Sequence, residues 1–417
     1  MALAVELADE LVDGAKGAAL PLVQHDLRLS YEQIGLLASL PLLVGGLLEL
    51  PFGVLVGEGK RRRLAILGGG VLFILTLLGV ASAHSFAVLL AAFIAFYPAS
   101  GAFVSLTQAE LMDATPDRQA QVMARWDLAG STGAVAGPLL LTVVLASGGG
   151  WRAAYLVLAG AAAVVWLATC LRGPVGGTSA AAVVPAGAAG GSSGQNRSAA
   201  VDLRGGSGEE GGPAGSGAWR TRAREVGAAL RSWGTLRWLI LLEIADLLVD
   251  VFTGFLALYL VDIARLSPAT AALAIAVRLG AALAGDALLL GVLERVSVLQ
   301  RGGDLAVLRV SAVAAVLLYP GFLLVPGAVA KLVILAMLSA ATAPWYPLLQ
   351  ARLYESLPGR SSVAVTLSSA AGLAGGLGPL AVGLAAQAFG LGWALAGLVV
   401  VPVAVLAVSA SARGPSA

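Results

Sequence analysis

Acidic side chains recur at helical spacing in two separate apolar segments of the chain. The two stripes consist of Glu6, Asp9, Glu10, Asp13 and Lys16 in the first segment and of Glu243, Asp246 and Asp250 in the second. At about 100° per residue, the first stripe occupies a ~120° arc of one helix face. An ionised group in hydrocarbon costs at least ~2.5–3.5 kcal/mol, so such a face is expected to line a bundle interior or a water-filled cavity. Carboxyl groups placed there could take up and release protons.

The two segments belong to an internal duplication. Residues 6–30 align without gaps on residues 243–267, and ten of the 25 positions are identical. The same offset places Glu49 on Asp286, and a slightly larger offset places residues 108–118 on 350–360. The duplication predicts two halves of common descent in the same membrane orientation, which is the parallel-repeat plan of secondary transporters.

Position along each helix predicts different roles for the acids. Counting ~1.5 Å per residue places Asp13 and Asp250 near the membrane midplane, whereas Glu6 and Glu243 lie near one surface. Asp13 and Asp250 are therefore the candidates for proton coupling. A solvated or ion-paired helix start is an equal alternative for Glu6 and Glu243.

Two basic residues lie at the same depth as these acids. Arg278 is the predicted counter-charge of Asp250, and Lys16 lies one turn from Asp13; Pro41 occupies the Arg278 position in the first half. Because acids outnumber cations, the cavity is expected to favour protons or cationic groups. Tyr97 could form a wall of this cavity or could serve helix packing.

Composition indicates a polytopic membrane protein. Apolar residues make up 58% of the 417 residues, charged residues 12%, and the mean hydropathy is +0.89, whereas soluble domains carry about 25% charged residues. An all-α protein is expected, because a spanning backbone must satisfy its own hydrogen bonds. The twelve predicted transmembrane helices lie near 2–24, 33–57, 64–82, 86–111, 127–147, 152–171, 237–261, 268–293, 305–326, 329–352, 362–388 and 391–411.

Basic residues cluster after the even-numbered spans, so the positive-inside rule predicts that both termini are cytoplasmic. We therefore expect a six-helix half at 1–172, a cytoplasmic linker at 173–235 and a second six-helix half at 236–417. The linker is mostly Gly, Ala and Ser, which predicts flexibility. Its end, from Trp219 to Trp233, fits a short basic amphipathic helix or a solvated continuation of the linker.

Together, the 6+6 helices, the duplication and a basic loop after the second span resemble the major facilitator superfamily over nearly all the chain except 173–235. The resemblance implies a cytoplasmic gate, whose candidate residues are Glu58, Arg61, Arg62, Arg63, Glu49 and Asp286. Gly57 stands where the family usually has an aspartate, and Glu58 follows it. A helix-end basic cluster that only sets orientation would look the same.

A second motif is similar to the Gly/Pro motif in span 5 of the family's antiporters. It comprises Gly133, Gly137 and Pro138, and Gly378 and Pro379 answer it in the second half. Small residues allow close helix packing, and proline loosens a helix. The arginine often found in span 4 of proton-coupled drug exporters is absent, which shifts the predicted proton site to the acids of helices 1 and 7.

Within the family, the start of helix 1 and residues 123–130 look like bacterial exporters of the fosmidomycin-resistance type. We expect a multi-pass inner-membrane transporter that works by alternating access and exports a small molecule in exchange for protons. Its partners would be the substrate, protons and the lipid bilayer; nucleic acid is not expected, and neither are a cofactor, a metal or enzymatic activity. A monomer is expected. The alternatives are a proton-coupled importer of a sugar, amino acid or organic acid, and a transporter-like sensor or scaffold.

Overall fold

The computed structural model is all-helical and describes residues 1–55, 60–115, 119–171, 231–295, 304–357, 367–368 and 371–411. Its first half contains α1 (Ala2–Leu27), α2 (Tyr31–Leu55), α3 (Lys60–Ala81), α4 (Phe86–Ala114), α5 (Gln119–Ala146) and α6 (Trp151–Leu171). In the second half, α7 spans 233–263 and is followed by α8 (Pro268–Arg295), α9 (Asp304–Leu324), α10 (Ala328–Glu355), α11 (Ala371–Phe389) and α12 (Leu391–Ser411). The predicted twelve-helix architecture of two repeats is confirmed. Within the described ranges, nine helices are long and apolar enough to cross a membrane.

Two helices depart from regular α geometry. In α4, the turn Gly101–Ser105 is π-helical, three residues after Pro98. In α7, π-helical turns at Leu247–Val251 and Tyr259–Ile263 flank the α-helical segment Phe252–Leu258. A π turn inserts one extra residue, and such turns often occur at functional sites.

The duplication is visible in the turns that follow α1 and α7. Arg28 and Arg265 both adopt left-handed backbone conformations, with φ of 51° and 58°. Two residues later, Ser30 Oγ accepts a hydrogen bond from Gln33 N, and Ser267 Oγ accepts one from Thr270 N, both at 3.1 Å. The same Arg-Leu-Ser sequence thus ends one helix and caps the next in each half.

The halves pack most extensively along two helix pairs, α2 with α11 and α5 with α8, and α1 also contacts α7 and α8. At the α2–α11 crossing, a Cβ on Gly35 would lie 2.8 Å from Pro379 O, and one on Gly383 would lie 2.5 Å from Tyr31 O. Only glycine permits this backbone approach. We define the end of the bundle where α2 begins and α11 ends as the distal end. The start of α1 and the end of α12 lie at the opposite, terminal end.

Residues 173–230 of the predicted linker, which spans 173–235, lie outside the described residues. The same holds for most of its proposed basic helix, of which only the last residues, before α7, are described. The three-part domain division therefore stays a prediction.

Candidate functional site

Three of the predicted site residues form one cluster between α1 and α4. Lys16 Nζ lies 3.6 Å from Asp13 Oδ1 and 3.5 Å from Tyr97 Oη. The same ammonium lies over the rings of Tyr97 and Phe93, 5.3 and 5.5 Å from their centroids. Asp13 keeps 42% of its side chain exposed, against 16% for Lys16. The cluster thus presents an accessible carboxylate beside a cation held by aromatic faces.

The remaining acids of α1 face α4 and α5. Ser100 Oγ donates to Asp9 Oδ1 at 2.8 Å, just before the π turn of α4. Glu6 accepts a hydrogen bond from Trp126, a buried residue of α5. A Cβ on Gly130 would lie 2.7 Å from Glu6 Oε1, so this glycine leaves room for the carboxylate.

The sequence patterns do not mark Trp126 or Gly130 as site residues. Both residues lie in the segment 123–130, whose resemblance to exporters is the one sequence signal at these positions. Their contacts depend on how α5 packs against α1, which single-sequence patterns do not give.

In the second half, Glu243 repeats the arrangement of Glu6. A Cβ on Gly375 of α11 would lie 2.3 Å from Glu243 Oε2, as Gly130 of α5 approaches Glu6. Asp246 and Asp250 follow on α7, and Tyr346 of α10 is close to both of them and to Glu243. Asp250 also lies within electrostatic range of Glu10 on α1. Glu10 of the first stripe and Asp250 of the second are therefore close enough to interact across the two halves.

Arg278 lies on α8 beside the π turn that contains Asp250, and it is buried, with 5% exposure. Its Nε donates to Thr253 Oγ1 at 2.5 Å, its Nη1 to Ser339 Oγ at 3.3 Å, and its Nη2 to Leu248 O at 3.2 Å and to Val249 O. These donors contact hydroxyl groups and turn carbonyls. The predicted Asp250–Arg278 ion pair stays a prediction.

The predicted gate is only partly described. Arg62 Nη1 donates to Asp113 Oδ2 at 2.6 Å, and Arg63 donates to Thr169 O, so both bind within the first half. Arg61 is exposed, and Asp286 is half-buried in α8. Glu58 and the side chain of Glu49 lie outside the described residues. A gating role for this set stays a prediction.

The Gly/Pro motif packs directly against the acid-bearing helices. A Cβ on Gly133 or Gly137 would lie 2.4 Å from Leu7 O or Leu11 O of α1. Pro138 lies inside α5, and a Cβ on Gly14 of α1 would lie 3.1 Å from Pro138 Cδ. In the second half, a Cβ on Gly378 would lie 2.8 Å from Leu247 Cδ2 in the π turn of α7. Gly133 and Gly137 thus bring the backbone of α5 against that of α1, and Gly378 leaves room for a side chain of α7.

A family model described as Major Facilitator Superfamily matches residues 11–369. The fold is similar to that of a bacterial homolog of the human lysosomal transporter Spinster in an inward-facing, occupied conformation, with a TM-score of 0.69 and 15% identity over 98% of this chain and 94% of that one. It is also similar to the nucleoside transporter NupG (TM-score 0.66, 12% identity, 99% of both chains) and to a D-xylose-proton symporter (TM-score 0.66, 13% identity, 98% of this chain and 95% of that one). No curated protein sequence matches the chain significantly.

Proposed function

The chain belongs to the Major Facilitator Superfamily, and we propose that it is a proton-coupled secondary transporter that exports a small molecule across the bacterial inner membrane. Family membership and the transporter neighbours support transport by a membrane protein with two six-helix halves. Proton coupling and the outward direction, as in exporters of the fosmidomycin-resistance type, are our further inference. We expect a monomer with both termini in the cytoplasm.

One observation carries the proposal, namely the accessible carboxylate of Asp13 in the middle of α1. The Asp13 side chain is 42% exposed. This exposure occurs near the middle of α1 (Ala2–Leu27), a helix whose other acids Asp9 and Glu6 contact α4 and α5. A carboxylate facing lipid at that depth would be strongly unfavourable. An exposed carboxylate on a helix that packs against helices of both halves is instead expected to line a water-filled substrate path.

The pairing of Asp13 with Lys16 suggests how protons and substrate exchange. A carboxylate can hold a proton or pair with a cation, but protonation removes the charge that the cation needs. A cationic substrate group and a proton would therefore compete for Asp13, and mutually exclusive binding is what an exchanger requires. Lys16 remains held by Tyr97 and Phe93 in either state, which keeps the site formed.

Contacts between the halves support a path that opens toward the terminal end. Tyr31 and Ser39 of α2 hydrogen bond to α7 and α11 near the distal end. With the predicted topology, the distal end faces outward, so this conformation would load substrate from the cytoplasm. The halves would then rock about the site to release it.

The proposal can be tested in proteoliposomes that contain a pH-sensitive dye, with ethidium, a fluorescent organic cation, as the probe. We expect ethidium movement to drive protons in the opposite direction, and Asp13→Asn to abolish this exchange, because the amide keeps the size of the side chain but cannot titrate. Asp26→Asn is the matched control, since Asp26 lies at the distal end of the same helix and pairs with Arg152. Unchanged exchange in Asp13→Asn would contradict the role of α1.

The direction of substrate transport needs a separate measurement. In right-side-out vesicles energised by an imposed proton gradient, an exporter lowers internal ethidium, whereas an importer that moves protons and substrate together raises it. Susceptibility profiling of a host without its own exporters, with and without this gene, would then identify the exported compounds. Deletion of residues 176–215 should leave transport largely intact, and loss of transport in that variant would favour a signalling role for the segment.

A further inference from the structure

We propose that Arg278 is a positioning residue that holds the π-helical turn of α7 and thereby sets where Asp250 lies between the halves. Its link to transport rests on the proposed function, whereas its effect on the backbone of α7 does not. The sequence predicts Arg278 as the counter-charge of Asp250. The hydrogen bonds of its guanidinium point to a positioning role in addition to the electrostatic interaction with Asp250.

The π turn presents carbonyl groups that Arg278 binds. In Leu247–Val251, the bond from Phe252 N reaches back five residues to Leu247 O instead of four. Both Leu248 O and Val249 O accept hydrogen bonds from Arg278 Nη2. Backbone carbonyls near such a turn lose regular helical geometry, and a buried charged donor stabilises them.

The guanidinium also fixes the turn relative to two other helices. Arg278 comes from α8, and its Nη1 contacts Ser339 Oγ of α10. Thr253, just beyond the turn, accepts from Arg278 Nε and itself donates to Val249 O, with both distances 2.5 Å. The ring of Phe252 lies 5.5 Å from the guanidinium carbon. This contact set uses the planar fork of arginine, which a lysine ammonium cannot reproduce.

The internal duplication provides a comparison within one chain. The copy of α7 in the first half, α1, is a regular α-helix from Ala2 to Leu27. Pro41 occupies the position equivalent to Arg278, and Lys16 occupies that of Thr253. The π turn and the arginine thus occur together in one copy, and the copy without the arginine has a regular helix. In that copy Asp13 pairs with Lys16, which lies on the same helix.

The π turn has a direct consequence for Asp250, which lies inside it. Removing one residue from a helical turn rotates the following residues by about 100° relative to those before it. If the turn relaxed to α geometry, Asp250 would change its direction relative to Asp246 and to Glu10 of the other half. Arg278 therefore controls the geometry of the proposed proton site through the backbone.

Hydrogen–deuterium exchange of the full-length protein in lipid nanodiscs tests the backbone role. We expect exchange of the amides at 247–253 to increase about tenfold in both Arg278→Lys and Arg278→Gln, because neither side chain can bind all four acceptors. Arg309→Lys is the matched control: Arg309 of α9 donates to Ser409 O of α12 in the same half, and neither residue belongs to the 247–253 segment. Thr253→Val should show a smaller increase, and Thr253→Ser, which keeps the hydroxyl, should not.

The pH profile of ethidium-driven proton movement separates positioning from simple charge balance. Positioning predicts that Arg278→Lys has an altered profile despite its positive charge, and that adding Asp250→Asn to Arg278→Gln does not restore amide protection. Wild-type protection and a wild-type profile in Arg278→Lys would overturn the proposal, as would recovery of protection in the double variant. If the wild-type protein moved no protons, the proposed function would fail while the exchange data still decided the role of Arg278. If the Arg278 variants do not fold, the amide exchange of Thr253→Val compared with that of Thr253→Ser tests the positioning role instead.

Discussion

Tyr31 at the start of α2 donates its hydroxyl hydrogen to Asp262 near the end of α7, with Oη and Oδ2 2.7 Å apart. The two residues belong to different halves. On α11, Gln387 Oε1 accepts from Tyr31 N at 3.2 Å, and Leu380 N donates to Ser39 Oγ at 2.9 Å. These bonds hold the halves together at the distal end, so they must break when the halves separate there.

The first prediction concerns this bond. Tyr31→Phe should shift the population toward the conformation open at the distal end by roughly fivefold, because a half-buried hydrogen bond of this kind contributes about 1 kcal/mol. Spin labels at His25→Cys and Ile263→Cys, both exposed at that end in opposite halves, would report the distance distribution, with Cys170 first replaced by serine. The long-distance component should grow.

Tyr259→Phe is the matched control for this measurement. The Tyr259 hydroxyl donates to Leu323 O within the second half, so its loss should lower stability without moving the halves. Equal distance distributions in Tyr31→Phe and the wild type would show that the bond does not hold the distal end closed.

A second prediction concerns the packing of α5 on α1. Gly137→Ala should lower thermal stability in detergent, because its Cβ would lie 2.4 Å from Leu11 O and 2.5 Å from Ala15 N. Forced backbone shifts of this kind cost about 1–3 kcal/mol. Gly17→Ala, on α1, has no atom within 4 Å of the added carbon and should melt like the wild type. A normal melting temperature for Gly137→Ala would mean that α5 can move away from α1 at little cost.

Long-period patterns made the fold predictable from the sequence. Apolar windows gave twelve helices, and the observed ends mostly fall within a few residues of the predicted ones, as for α1, expected at 2–24 and found at Ala2–Leu27. The start of α5 was less accurate, because the polar residues from Gln119 hid the first two turns of the helix. The acid stripes were predicted to face inward, since helical geometry alone fixes which residues share a face.

Details of the site were less predictable because they depend on backbone irregularities and on contacts between distant helices. Arg278 lies beside the turn that carries Asp250, but a π turn has no clear sequence signature, so the carbonyl partners of Arg278 cannot be predicted from the sequence. Glu6 was given an equal chance of being solvated, whereas it packs against Gly130 and bonds to Trp126. The packing of α1 against α5, which decides this, involves residues about 120 positions apart.

A third prediction tests the membrane orientation. With the native Cys170 replaced, Ser82→Cys should react with an impermeant maleimide in intact cells, because residue 82 is exposed at the distal end. A cysteine at Gly194 should react only after the cells are opened, since the charge asymmetry predicts that residues 173–235 are cytoplasmic. Labelling of position 194 from outside would reverse the topology and, with it, the expected direction of loading.

The last prediction concerns Arg62, which the resemblance assigned to a gate and which binds Asp113, joining the start of α3 to the end of α4. Both helices belong to the first half, so this pair does not have to break when the halves separate. The side chains are 23% and 36% exposed, and ion pairs of that exposure contribute no more than about 1 kcal/mol. A double-mutant cycle with Arg62→Gln and Asp113→Asn should therefore give a coupling energy for unfolding of at most ~1 kcal/mol. The distal spin-label distances should stay unchanged in all three variants, in contrast to Tyr31→Phe. A population shift in Arg62→Gln that matched the one in Tyr31→Phe would mean that the basic cluster does take part in switching between conformations, through residues other than Asp113.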